Sequence, residues 1–110
     1  MKLPNGASAV VSISKLRDYC LSATHPRGRH KARVFNSALS LTAVDVLELQ
    51  NALLLAARQQ DAVEGLSDAY GTRYTVDFEL KRMDRSAFIR SSWIISRGEL
   101  VPRFVTCFIL

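Results

Sequence analysis

The chain has no apolar run long enough to cross a bilayer. Its longest, Leu53 to Ala57 and Phe104 to Leu110, fall far short of the roughly 20 residues a helical span needs. Met1-Lys2-Leu3 passes directly into Pro4-Asn5-Gly6, without the apolar core of a signal peptide. The expectation is a cytoplasmic protein with no membrane partner. Cysteine is scarce: there are two, too few for a disulfide framework. Cys20 and Cys107 each sit among apolar residues and read as buried thiols acting as small hydrophobes. No C-x-x-C pair occurs. Cys20, His25 and His30 make a poor ligand set, because a five-residue step on a continuous helix turns the two histidines apart. No metal and no cofactor is expected. Gly-rich Walker and Rossmann fingerprints are missing, as is a Gly-x-Ser-x-Gly elbow, which sets aside those nucleotide-binding and Ser-His-Asp hydrolase classes. There is no internal repeat and no low-complexity segment.

What remains is an ordinary globular composition, with 48% hydrophobic and 23% charged residues in 110, enough for one domain spanning 1–110. The formal charge of +5 and pI near 9.7 favour anionic partners. That charge is gathered in one place. Thr24 to Phe35 holds both histidines and four of the fifteen Lys and Arg residues, with no acid.

Pro26 and Gly28 at the front of this stretch describe a turn opening into a helix, with Thr24 or His25 capping a helix that starts at Pro26. Gly28 leaves room for a ligand or another backbone to approach. Free N–H groups at a helix start favour anions, so Arg27, Gly28, Arg29 and Arg33 are candidate phosphate-binding residues. His25 and His30 are candidates for the base and acid of metal-free RNA cleavage, with Lys31 neutralising developing charge. The structural alternative is a capping His25, a His30 at the helix boundary and a solvated basic face.

Around this stretch the pattern changes period once. Ala9 to Ile13 is a short β-prone run, and Ser14 is placed to cap a helix through about Leu21. Arg29 to about Leu39 reads as a helix burying Val34, Phe35 and Ala38, broken by Ser40-Leu41-Thr42. Thr42 and Asp45 resemble a capping box. A long helix from Ala43 to about Ala62 carries Val46, Leu49, Leu53, Ala56 and Ala57 on one stripe. Leu47, Leu54 and Leu55 widen that stripe and predict cover on more than one side. Gly65 is placed to end it, with Leu66 to Gly71 as a connection.

Beyond this the period is two. Tyr74, Val76, Phe78 and Leu80 alternate with polar residues, predicting a half-buried strand. Lys81 to Arg85 reads as a hairpin loop, Ser86 to Ile95 as a central strand apolar on both faces, and Leu100 to Ile109 as a last strand after a turn at Arg97-Gly98-Glu99. The fold class is α+β: about three N-terminal helices on one face of an antiparallel three- to four-stranded meander. Arg90, Ser91 and Arg103 lie in these strands and need partners. A phosphate shared with the histidine helix would serve, and so would a plain ion pair with Asp77 or Glu79. Trp93 reads as core.

Leu3-Pro4-Asn5-Gly6, Leu21-Ser22-Ala23-Thr24-His25-Pro26 with Gly28-Arg29-His30-Lys31-Ala32-Arg33-Val34-Phe35, and Trp93-Ile94-Ile95 with Pro102 to Thr106 occur in this order elsewhere. They resemble a family of small bacterial domains of unknown function that carry an S-P-T-H-P-x-G-x-H-K-A-R-F-F run. This chain departs from the run at Ala23 and Val34. The helices-then-sheet layout is similar to the barnase–EndoU–colicin–RelE group of metal-independent ribonucleases, many of them toxins. That likeness implies His25, His30 and Lys31 at the helix end of a catalytic site, with Arg90, Ser91, Arg103 and Thr106 as strand partners. The functional expectation is a metal-independent ribonuclease-like domain acting on RNA. The alternatives are a non-catalytic module binding RNA, a nucleotide or another anionic ligand, and a toxin-neutralising or assembly subunit. The last would pair as a homodimer or with a partner protein through its sheet edge.

Overall fold

The computed structural model describes residues 1–110. Four strands, β1 (Ala62–Asp68), β2 (Gly71–Arg82), β3 (Arg85–Ser96) and β4 (Arg103–Ile109), form one antiparallel sheet in the order β1-β2-β3-β4. Short connections between successive strands force this meander. The β2–β3 pairing is unbroken from Gly71 opposite Ser96 to Arg82 opposite Arg85. Its turn is therefore Met83-Asp84 alone, narrower than the loop expected over Lys81 to Arg85, with Met83 at φ 56°.

Alternation decides which face is which. Tyr74, Val76 and Phe78 of β2 and Ile89, Ser91 and Trp93 of β3 are buried. Asp77 and Glu79 face solvent, and so do Phe88 and Arg90. β3 is thus central but not covered on both faces, contrary to its apolar reading, because every helix lies on the same side of the sheet. Trp93 is fully buried, edge-to-face with Phe104 at 5.7 Å. Ser91 serves this core: its hydroxyl donates to the Val76 carbonyl at 2.7 Å and accepts from the Trp93 indole N–H at 2.9 Å. Buried polar atoms are matched, as they must be where water is excluded.

β1 replaces the connection expected over Leu66 to Gly71. Only Ala62 of its seven residues is buried, so this edge strand has no apolar face and leaves no period-two signal. Its register slips between Glu64 and Ser67, and Gly65 lies within that irregularity rather than at a helix end. The last strand begins at Arg103, later than expected, since Pro102 has no N–H to donate to a ladder. Ala9 to Ile13 is not a strand. Val10 instead makes a single parallel bridge to Arg103.

The helical layer has three pieces. α1 is one turn of α-helix, Ile13–Lys15, running into a π-helical turn, Leu16–Cys20. Ser12, not Ser14, caps it, accepting from the Lys15 N–H. The Leu21 N–H reaches back to the Leu16 carbonyl at 2.8 Å, the five-residue step of a π-turn. α2 is Arg29–Leu39, with Ala32, Phe35 and Leu39 buried. Val34, expected inside, is 44% exposed. The turn Ala43–Asp45 leads into α3, Val46–Gln59, and the Thr42–Asp45 capping box is present. α3 buries Leu49, Leu53, Ala56 and Ala57, but Leu47 and Leu55 are exposed. It is therefore covered on one side only, and it ends before Ala62 because Gln60 is extended. No single helix is long and apolar enough to cross a membrane.

One clamp sets the helical layer on the sheet and a second closes the layer itself. Arg82, at the end of β2, pairs with Asp45 at 3.0 Å and Glu48 at 2.8 Å and donates to the Leu39 and Ser40 carbonyls. It thus closes the α2–α3 junction. At the other end, Gly28 lies against α1. A Cβ on Gly28 would sit 1.9 Å from the Tyr19 carbonyl oxygen, an overlap that backbone atoms cannot relieve by a rotamer change. Gly28→Ala is expected to cost roughly 1–3 kcal/mol, the range for overpacking a tight site. Urea unfolding measures it, and a midpoint equal to wild type would contradict the contact.

Candidate functional site

The turn before α2 is built by hydrogen bonds to His25. Its ring Nδ1 accepts from the Arg27 and Gly28 N–H groups, both at 3.0 Å, and its carbonyl accepts from the Arg29 N–H at 3.0 Å. α2 therefore starts at Arg29, three residues after Pro26, and the residues between are held as a turn by the imidazole. An Nδ1 that accepts two bonds carries no proton, so the ring proton sits on Nε2. The His25 ring also packs edge-to-face on Tyr19, with centroids 4.8 Å apart. The first of the sequence-predicted residues is thus a capping histidine. Gly28, too, has a structural task here, its open side being filled by Tyr19.

α2 then sorts its cations by angle. At roughly 100° per residue, Arg29, Arg33 and Asn36 share one flank, His30 points to solvent, and Lys31 falls on the opposite flank. The buried Ala32 and Phe35 lie between. The single cluster of the sequence becomes two sites back to back.

On the first flank is a groove of about 240 Å³, lined by Leu21, Ala23, Arg29, Ala32, Arg33, Asn36 and Thr42. It presents two guanidinium groups one helical turn apart and an amide, with no acidic residue in its wall. None of the ion pairs of the molecule involves Arg27, Arg29, Lys31 or Arg33. Asn36 and Thr42 were not among the sequence candidates. The spacing 29, 33, 36 was the signal for Asn36, while Thr42 is brought in only by the turn after α2.

On the second flank Lys31 turns inward. Its ammonium donates to the Thr106 hydroxyl at 2.9 Å and lies 5.0 Å from the Tyr19 ring centroid and 5.8 Å from that of Phe108. Aromatic faces attract a cation in this way. Thr106 sits opposite Ser92, beside the register irregularity between Ser92 and Trp93. Its hydroxyl is 3.8 Å from Cys20 Sγ. Lys31 and Thr106, candidates that the family likeness had put at one site, are brought together here beside a sulfur.

That sulfur has a second neighbour. Cys107 is the largest influence holding the Cys20 thiol down, to about 6, against the opposing effect of burial. The Cys107 N–H, the Thr106 hydroxyl and the Lys31 charge act in the same direction. Proximity to Cys20, together with burial, pushes Cys107 well above the ordinary thiol value. Sequence reasoning foresaw two buried thiols, which both are, but no local signal relates a residue of α1 to one of β4.

The strand candidates do not join either flank. Arg90 makes a two-point pair with Asp77, at 2.9 and 2.8 Å, on the sheet face turned away from the helices. There, together with Gln60, Asp61, Val63 and Thr75, these two side chains line a shallow depression. Arg103 pairs with Glu99 at 2.9 Å. Ser91 is sealed in the core. The ion-pair account, raised from sequence for either arginine with Asp77 or Glu79, describes both, with Arg90 taking Asp77 and Arg103 taking Glu99 instead.

The architecture defines a small α+β domain: a helical layer on one face of a four-stranded antiparallel meander, with an acid-free cationic helix next to its first turn. A family model described as a domain of unknown function, DUF6883, matches residues 2–110. The chain belongs to that family. No curated protein and no solved structure matches it.

The thiol pair has a signature in stability. Cys20 is lowered from the ordinary 9.0 to about 6, so the fold favours its deprotonated form. Its contribution is full above pH 9 and is lost as pH falls through 6. Cys107 works oppositely, its contribution waning only at pH above the ordinary thiol range. Between about pH 6 and 9 the wild type should therefore gain stability as pH rises. Cys20→Ser should flatten that slope. Identical slopes in urea titrations of the two proteins would refute the assignment.

Proposed function

We propose that the protein is a phosphate-recognising module, in which the Arg29–Arg33 groove of α2 seats a phosphate of an RNA chain or a nucleotide. The observation that carries this reading is the division of charge. Acidic residues neutralise Arg17, Arg73, Arg82, Arg90 and Arg103; of the arginines in no ion pair, Arg58, Arg85 and Arg97 are scattered along the chain, whereas Arg27, Arg29 and Arg33 fall on one short segment. Two guanidinium groups at positions i and i+4 with an amide beside them supply the planar, multi-point donors that phosphate oxygens take best. Leu21, Ala23 and Ala32 give the groove an apolar floor, which strengthens such contacts by lowering the local dielectric.

RNA cleavage is a narrower second reading, resting only on the likeness of the helices-then-sheet order in the sequence to the barnase–EndoU–colicin–RelE group. It needs a base and an acid at one phosphate. His25 has its Nδ1 occupied, which leaves His30, exposed on α2, as the histidine free to serve. Binding without cleavage is the reading these contacts favour.

The test is fluorescence polarisation with a labelled single-stranded RNA, repeated with a nucleoside diphosphate as competitor. Affinity should fall steeply with salt. Arg29→Ala/Arg33→Ala should weaken binding at least about tenfold, two phosphate contacts being removed. Arg90→Ala should leave it unchanged. Equal affinity of the double variant and wild type would overturn the groove. RNA recovered intact in EDTA supports binding over cleavage, and cleavage lost in His30→Ala would establish the second reading instead.

A further inference from the structure

α3 shows solvent a face that its own chain leaves uncovered. Val44, in the turn leading into the helix, is 92% exposed, Leu47 58% and Leu55 47%, and Leu54 is half-buried. At roughly 100° per residue these four fall in one outward band, opposite the buried Leu49, Leu53, Ala56 and Ala57. Asn51, also exposed, lies on the midline of that band. Two charges complete it. Glu48 is exposed, with one carboxylate oxygen given to Arg82 at 2.8 Å. Arg58 is exposed and takes part in none of the ion pairs.

The band is symmetric about Asn51. Leu47 and Leu55 stand four residues before and after it, displaced from the midline by equal angles to opposite sides. Val44 and Arg58 are related in the same way, and so are Glu48 and Leu54. A two-fold axis through Asn51, perpendicular to the helix, therefore lays Leu47 of one copy against Leu55 of another. An isologous interface needs this property, since one patch must complement itself.

We propose that α3 is a dimerisation helix, packing antiparallel on α3 of a second copy of this chain about a two-fold axis at Asn51. Leu47 of each copy meets Leu55 of the other. Arg58 of each copy comes beside Val44 and Glu48 of the other, so opposite charges meet twice. A parallel pairing would set Glu48 against Glu48 and Arg58 against Arg58, which like-charge repulsion opposes. This charge complementarity, together with the matched leucines, selects a second copy as the occupant. Asn51 meets Asn51 on the axis, where an amide both donates and accepts, and a single polar residue in an apolar seam fixes its register.

α3 has 14 residues, about 21 Å of helix. One such helix per protomer makes a small interface, so the dimer is of the weak, concentration-dependent class, with a Kd on the order of 10–100 μM. The band shares no residue with the Arg29–Arg33 groove, and the inference does not depend on phosphate binding.

The experiment is sedimentation equilibrium of the whole chain under dithiothreitol, from roughly 5 to 500 μM, a range that brackets such a Kd. The mass should rise from one chain toward two. Leu47→Glu changes an exposed side chain and should leave the fold intact while weakening the dimer at least about tenfold. Asn51→Cys tests the axis. Helices packed about 9 Å apart, each with a Cα radius of about 2.3 Å, leave facing Cα atoms about 4–5 Å apart, within disulfide reach. Oxidised glutathione should therefore link Asn51→Cys into a dimer. It should not link Leu47→Cys, whose counterpart lies about 12 Å away along the helix. A mass of one chain at every concentration would overturn the proposal. So would a mass beyond two chains, a dimer unchanged by Leu47→Glu, or linking of Leu47→Cys as efficient as that of Asn51→Cys. Sedimentation of the wild type and Leu47→Glu decides the matter even where a cysteine variant fails to fold.

Discussion

The rest of the helical layer depends on the contact between the Gly28 backbone and the Tyr19 carbonyl. A residue with any side chain at position 28 would overlap that oxygen, so glycine allows the turn after α1 to fold flat against it. His25 completes the arrangement by accepting the Arg27 and Gly28 N–H groups. The direction in which α2 leaves the turn is then fixed, and with it the angle at which each cation of Arg29–Arg33 points.

Consecutive cations along a helix cannot share a face, because each step rotates the side chain by more than a quarter-turn. A cluster that is dense in sequence is therefore divided in space. One flank gives Arg29 and Arg33 to an open groove with no acid in its wall. The other turns Lys31 toward Tyr19, Thr106 and Phe108, where its charge bears on a buried thiol pair. Phe35 and Leu39 anchor the helix between them, so neither flank moves without the other.

Much of this fold is legible in the residues. The alternation from Tyr74 to Leu80, the Thr42–Asp45 box and the extent of α2 all follow from local pattern. β1 was not legible, since an edge strand held by backbone pairing with both faces wet leaves no hydrophobic period. The exposure of Leu47 and Leu55 was hidden for the opposite reason: apolar residues on a helix say where cover is possible, not whether a second layer exists. Of the site, the stretch was legible and its chemistry was not. Whether His25 points out or caps depends on the Gly28–Tyr19 contact, and whether Lys31 meets solvent depends on β4 passing beside α1. Arg90 met its foreseen partner Asp77 because strand pairing is local once the hairpin is set. Cys20 met Thr106 because the meander returns its last strand to the first helix, a relation that no spacing along the chain encodes.

On the proposed reading, α2 separates a phosphate-facing flank from an inward one. The most direct test is a residue-resolved amide NMR titration of the reduced protein with a short single-stranded RNA. Shifts should concentrate at Ala32, Arg33, Asn36 and Thr42, with Thr106 and Cys107 unmoved. Shifts centred on Lys31, Thr106 and Cys107, or on Asp77 and Arg90 across the sheet, would contradict it.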